Sequence, residues 1–323
     1  MTTLPYGFRV VGSTWEVRRL VDAATALSAH CSCDPKAELH RECYLSAFQY
    51  GDDFRRHLEV TGSTAEFTGE CWAPWLWFDV DRADLTVALT DARRLAVTID
   101  ERYRLGDGDL LAFYSGSKGF HIGLPTSLWL PKPAATFHKI ARRFAERLAE
   151  LAGVTIDTGV YDKVRLFRAP NSRHPKTGFH KRRLSLDELL GLSLDGIQAL
   201  AAEPSPFDLP EPAATNDQAA ADWLDAQDHV TTQGEVNAAR RAERNGSPTL
   251  NRSTLEIICD GDALATGDRH RMLFSAAANL GEFGCPDELA LALLLDAGLD
   301  SGLPPKDVRR QIECGLTHGR GTR

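Results

Sequence analysis

Asp79 and Asp81 stand two residues apart at the end of an apolar, aromatic run that begins at Ala73. In a strand, a period of two puts both carboxylates on one face and Phe78 and Val80 on the other. Such a pair can hold divalent metal: Mg²⁺ and Mn²⁺ prefer carboxylate oxygens, and two such ions can clamp the attacking and leaving oxygens of a phosphoryl transfer. Taken alone, the pattern reads more readily as a polar turn. Downstream, Ser115-Gly-Ser-Lys118-Gly-Phe-His121 forms a loop with two glycines. Its backbone N–H groups could face an anion, with Ser115 and Lys118 adding a hydroxyl and a positive charge. His121 alternates with Phe120 and Ile122 and would face the bound group; the plain alternative is a hairpin turn with a solvated lysine. A third segment runs from Asp157 through Asp162 to a strand that delivers Arg168 into a loop where Ser172, His174 and Lys176 alternate. That convergence of donors and charge suits a triphosphate or a nucleic-acid backbone. The interleaved prolines, glycine and aromatics argue for a shaped loop over a solvated basic surface.

The elements that must position these groups can be read from periodicity. Asp84 is expected as an N-cap for a helix carrying Leu85, Leu89, Ala92, Ala96, Ile99 and Tyr103, ending at Gly106. Leu110–Tyr114 and Phe120–Leu124 are two short strands joined by the glycine loop. Pro133 is expected to open a second helix with Phe137, Ile140, Phe144, Leu148 and Leu151 on one face, closed by Gly153, and Val164–Phe167 is a further strand. The order βαββαβ matches a split βαβ, RNA-recognition-motif-like core within an α+β protein. Residues 1–202 are expected to form the catalytic domain with an N-terminal αβ extension. Four prolines between Glu203 and Ala214 place a linker over residues 203–216. A small all-α domain then fills residues 217–323, with helices after Thr266-Gly267-Asp268, at Leu289–Leu295 after Pro286, and from Pro305 to a stop at Gly315.

Taken in order, the three chemical segments resemble the archaeo-eukaryotic primase superfamily, in the form carried by phages, plasmids and integrated elements. The shared features are Asp-x-Asp, a Ser/Gly loop ending in His, and a hydrophobic-Asp motif before a basic Ser-x-His-x-Lys-Thr-Gly segment. The match covers roughly Ala73 to Arg183, and the flanks fit only loosely. The resemblance implies a DNA primase-polymerase in which Asp79, Asp81 and Asp157 are catalytic ligands of two Mg²⁺ or Mn²⁺ ions. Ser115, Lys118 and His121 would hold the triphosphate, assisted by Arg168, Ser172, His174 and Lys176. Asp157, after Thr155-Ile156, fits the third motif better than Asp162. Arg41-Glu-Cys-Tyr44 looks like the family's Arg-x-x-Tyr strand opening and would bring Arg41 toward the nucleotide. The implied partners are a single-stranded DNA template and NTPs or dNTPs. Two rivals remain: a gap-filling polymerase like that of bacterial ligase D, and a replication-initiation protein that binds DNA without catalysis.

The net charge of −8 argues at first against a nucleic-acid partner, but charge is segregated. Residues 163–183 hold eight Lys/Arg and no acid, whereas residues 184–239 hold eleven Asp/Glu and no Lys or Arg. No Gly-x-x-x-x-Gly-Lys-Ser/Thr loop occurs, which leaves unwinding to a separate replicative helicase. No apolar run approaches bilayer length, and seven scattered cysteines fit reduced thiols, so a cytoplasmic protein without membrane association is expected. His30, Cys31, Cys33, His40 and Cys43 could in principle bind zinc, but they lack the usual pair of two-residue gaps.

Overall fold

Strand pairing in the first part of the chain follows from short β-prone runs broken by glycine and helix caps. The computed structural model describes residues 4–106, 108–243, 249–259, 264 and 268–321. Strands β1 (Tyr6–Val11) and β2 (Arg19–Asp22) form a hairpin, and Asp22 then caps helix α1 (Ala23–Cys31) by accepting from the Thr25 amide. Next come β3 (Cys43–Ser46), β4 (Gln49–Tyr50), α2 (Asp52–Thr61) and β5 (Cys71–Trp72). Phe8, Tyr50, Phe54 and Phe67 close this corner, the Tyr50 and Phe54 rings stacking at 4.1 Å.

The segments that carry the candidate chemistry follow: β6 (Trp75–Asp81), α3 (Leu85–Tyr103), β7 (Leu111–Tyr114), β8 (Gly119–Pro125), α4 (Phe137–Ala152), β9 (Leu166–Arg168) and β10 (Arg182–Leu184). They confirm an α+β protein. One antiparallel sheet has the order β10-β7-β8-β6, and the other runs β5-β4-β1-β3-β9 with β2 beside β1. The order β6-β8-β7 is that of the expected core, but its last strand departs from it. Instead of pairing with β6, β9 crosses to the other sheet and pairs with β3, Phe167 opposite Leu45. The β6 edge is covered by a turn: the Asp157 amide donates to Asp79 O at 2.8 Å, and the Tyr161 hydroxyl donates to Trp77 O at 2.6 Å.

Helices α3 and α4 cover one face of the β6 sheet, burying Leu89, Ala92, Ala96 and Ile99 from the first and Phe137, Ile140, Phe144 and Leu148 from the second. Asp84 caps α3 as its position suggests. Helix α4 starts four residues after Pro133, because Ala134 is held in a bridge to Cys71. Leu151, expected on its buried face, is exposed in the last turn.

Beyond β10 lie α5 (Leu186–Gly191), α6 (Leu194–Leu200) and α7 (Asp217–Glu243). The segment expected as a linker is hydrogen-bonded along the first compact unit, which runs from Met1 to Gln233. The Phe207 amide donates to Cys31 O at 3.0 Å, its ring meets Phe113, and the Asn216 amide donates to Leu128 O at 2.7 Å. The first half of α7 belongs to this unit too: Trp223 lies among Trp129, Phe137 and Phe144, and Asp222 accepts from Arg102 Nε and Nη2 and from the Tyr103 hydroxyl. The apolar stripe Ala219-Trp223-Ala226 decides where α7 goes, and the prolines before it only set its path.

The second unit, Gly234–Arg323, has a core formed by α8 (Arg252–Cys259), α9 (Arg269–Glu282), α10 (Asp287–Asp300) and α11 (Pro305–Gly321). Thr266 and Gly267, expected just before a helix, lie outside the described residues. Helix α11 does not stop at Gly315. A Cβ there would lie 2.5 Å from Phe274 O, and one at Gly319 would lie closer still to Ala278 O. These glycines let α11 approach α9 rather than end the helix. No described helix is long and apolar enough to cross a membrane.

Candidate active site

Register brings the first two motifs together. In the β6–β8 ladder Asp79 lies opposite His121 and Asp81 opposite Gly119, so directly paired side chains share the face turned away from α3 and α4. On that face His121 Nε2 approaches Asp79 Oδ1 at 3.5 Å, and the His121 ring lies 4.3 Å from the Phe167 ring of the other sheet. Gly119 is required for this pairing, since a Cβ there would come within 2.1 Å of Val80 O.

The acids are under electrostatic load. Burial, then the charges of Asp81 and Asp157, push the Asp79 carboxyl up to about 7, and its Oδ1 is buried with no hydrogen-bond partner. Burial also raises Asp81, with Asp157 adding to it while Lys118, Arg82 and Arg168 oppose. His121 is driven well below its ordinary value by burial, with Lys181 and Arg168 adding, so its contact with Asp79 is not an ion pair at neutral pH. Asp157 caps the turn Thr158–Tyr161 through the Gly159 amide and lies 3.6 Å from Arg165.

An oxygen-donor set with one desolvated, unpartnered carboxylate oxygen suits a hard divalent cation, which would relieve the repulsion. The three acids are electrostatically coupled without being gathered: among the described residues no group of three or more His, Cys, Asp or Glu is arranged to hold a metal ion. His30 and Cys43 touch at 3.4 Å, but no zinc arrangement forms among the cysteines of the N-terminal cluster, whose described thiols are free.

The loops contribute unequally. Ser115 is buried, and its Oγ accepts from the Ser117 and Gly119 amides, so the hydroxyl closes its own loop and those N–H groups point inward. Lys118 is exposed at the loop tip. Ser172 is fully buried and faces Ala169 O and Cys43 O, which makes it a brace of the basic loop and not an exposed donor. Arg168 stacks over Tyr44 and pairs with Glu42 at 3.0 Å, while its Nη1 is buried without a partner. His174 Nδ1 lies 3.3 Å from the amides of Lys176 and Thr177. Burial lowers its pKa, with Arg168, Lys176 and Lys118 adding and Glu42 opposing, which places these charges around one ring. Lys176 is exposed, and Arg41 pairs with Glu38 at the surface. The Thr177 hydroxyl donates to Gly116 O at 2.5 Å and joins the two loops.

One participant escaped the sequence reading. Lys181, counted within the basic run, is fully buried between the sheets, its ammonium 4.2 Å from the Phe167 ring centroid and also over Trp77 and Phe113. It donates to Arg168 O at 2.8 Å, and Asp79 is the acid that opposes the loss of its proton. No periodicity signal marks a lysine buried by the meeting of two sheets.

Asp157 bonds to the β6 backbone at Asp79 and loads both acids, whereas Asp162 faces Arg165 and Arg142. Asp157→Asn should therefore lower turnover by about 10²-fold or more, comparable to loss of an oriented charge-stabilising group, and Asp162→Asn by much less. Steady-state rates of the two variants check this, and the reverse ranking would move the third acid to Asp162.

No protein-family model matches this chain, and no curated protein does. Among solved structures, a crystal structure of primase RepB′ is similar at 14% identity and a TM-score of 0.37, covering 98% of this chain and 93% of that one. At that score the likeness carries no argument about chemistry.

Proposed function

We propose that this protein is a DNA primase-polymerase, joining nucleotides on a single-stranded DNA template by metal-dependent nucleotidyl transfer. The observation that carries the reading is the buried, unpartnered Asp79 Oδ1, whose carboxyl is loaded by the charges of Asp81 and Asp157, with Lys118 and Arg168 acting on neighbouring Asp81. A binding protein gains nothing from mutually repelling acids placed where phosphates would lie, whereas a nucleotidyl transferase needs both signs at one place.

Asp79, Asp81 and Asp157 are the residues that would hold two divalent ions. When bound, such ions lower the pKa of an attacking hydroxyl and neutralise charge on the transferring phosphoryl group. Neutral His121 presents an uncharged ring beside Asp79, so it can hydrogen-bond a phosphate oxygen without cancelling the acid's charge. Lys118, Lys176 and His174 stand where the β7–β8 loop meets the basic loop and would hold the triphosphate. Arg168 is kept in place by Glu42 and Tyr44, which fixes the plane of its guanidinium.

The test is incubation with single-stranded DNA, labelled nucleotides and Mg²⁺ or Mn²⁺. Template-dependent incorporation that stops on chelation is expected; its absence with either ion would sink the reading. Within it, Lys176→Ala and His174→Ala should each raise the nucleotide KM by roughly tenfold, about the value of one charge-assisted contact. Template affinity should change less. An unchanged KM with lost DNA affinity would give this loop to the template instead.

A further inference from the structure

On the reading above, a single-stranded template must reach the acids along some surface, and the end of the β1–β3–β9 sheet offers one. Arg168 ends β9, and its Tyr44 partner in β3 brings Glu42 and Arg41 beside it. Val11, opposite Cys43, ends β1, and the next residue, Gly12, donates its amide to Glu42 O at 2.7 Å. Neighbouring strands are about 4.8 Å apart, so Arg168 and Gly12 are separated by roughly 10 Å, or two strand spacings. The basic loop borders the same edge, because the Arg173 amide donates to Leu39 O and Arg41 O at 3.0 and 3.2 Å. A continuous row of contacts thus leads from the Ser/Gly loop through Thr177 and Arg173 to Arg41 and Gly12.

At Gly12 the chain turns with φ +102°, and a Cβ there would lie 3.2 Å from Glu16 Cγ and 3.8 Å from Arg41 Nη2. This turn lifts Trp15 and Val17 to the tip of the β1–β2 hairpin, where they are 80% and 72% exposed. Trp15 is the most exposed aromatic side chain among the described large hydrophobic residues. Of the acids along the row, Glu38 pairs with Arg9 and Arg41 and Glu42 with Arg168, while Glu16 lies at the Gly12 turn on the side of Arg41. Arg19 and Lys176 remain exposed beside them. An indole 80% exposed at the end of a basic strip has the chemistry of a base-stacking platform: its exposed face takes an unpaired base and the flanking cations take the phosphates.

We infer that Trp15, at the tip of the β1–β2 hairpin, stacks on an unpaired base of the single-stranded template and guides that strand along Arg41 and Arg173 toward Asp79 and Asp81. A duplex, whose bases are already stacked, offers this ring no comparable face. The site therefore discriminates single-stranded from double-stranded nucleic acid.

The experiment measures binding of a fluorescent single-stranded oligonucleotide, and of the same sequence as a blunt duplex, to the full chain and to its Trp15→Ala and Trp15→Phe variants. Trp15 is exposed, so both variants should melt with the wild type. Single-strand affinity should fall by about tenfold in Trp15→Ala, within the range of one stacked base, and return close to wild type in Trp15→Phe. Duplex affinity should be unchanged, and so should the salt dependence of single-strand binding, because an indole releases no counterions. If the wild type binds the single strand and Trp15→Ala binds it within twofold, this inference is overturned and the proposed function stands. If the wild type binds no single-stranded DNA, both fall.

Discussion

Asp79→Asn and Asp81→Asn are each expected to lower nucleotide incorporation by about 10³-fold or more, a loss of ~4 kcal/mol of transition-state stabilisation at 1.36 kcal/mol per decade. An amide keeps the size of the carboxylate but supplies no charge and is a weaker ligand for a hard cation. The fold should survive, and for Asp79 the direction of the stability change is itself informative. Its carboxyl is raised to about 7 by burial and by Asp81 and Asp157. Folding therefore favours the protonated form: the stability this group contributes is complete below the unfolded carboxyl pKa near 3.9 and is lost as pH rises through about 7. Without divalent ions at pH 8, Asp79→Asn should thus melt at or above the wild-type temperature while being inactive. Retained synthesis by both variants would remove the catalytic assignment. A marked fall in melting temperature would mean that Asp79 is held by structure rather than set aside for a ligand.

The second large effect concerns where the catalytic unit ends. A chain stopping at Pro212 loses Ala219, Asp222, Trp223 and Ala226, all buried against α3 and α4. It should be unfolded or severely destabilised. The single change Trp223→Ala should cost about 3–5 kcal/mol, as for other large aromatic truncations. It empties a contact with Trp129, Phe137 and Phe144 and weakens the seat of the neighbouring Asp222 carboxylate, which holds Arg102 and Tyr103. A chain ending after Gln233, at the boundary between the two compact units, should melt cooperatively and keep both the acids and the basic loop in place. Thermal or denaturant unfolding of the three chains decides the matter. A Pro212 chain as stable as the Gln233 chain would return the boundary to the proline-rich segment.

Much of the site was legible because it depends on local alternation. The run into Asp79-Val80-Asp81 specified a strand and its two faces, and the glycine loop set the hairpin register that places His121 opposite Asp79. The α+β character and the helices carrying Leu89, Ile99 and Phe144 followed from their periods. What was hidden is long-range. Nothing local tells β9 to leave β6 for β3, since both partners are equally β-prone and the choice depends on the turn that occupies the β6 edge. Ser172 and Lys181 look like exposed donors in a basic run and are buried by contacts between the two sheets. The prolines of 203–216 signal irregular backbone correctly but not whether it is free, and Trp223 beyond them carries that information. Gly315 reads as a helix stop, yet it is a point of close approach between α11 and α9.

The central claim is that Asp79 and Asp81 serve the joining of nucleotides on a single-stranded template, including the first two. The direct measurement is primer-free synthesis: the full chain with circular single-stranded DNA, labelled nucleotides and Mn²⁺ or Mg²⁺, in parallel with Asp79→Asn. Short labelled products from the wild type, absent from the variant and after chelation, are the expected result. Extension of added primers without any primer-free product would point to a gap-filling polymerase, and DNA binding with no incorporation under either condition would contradict the account.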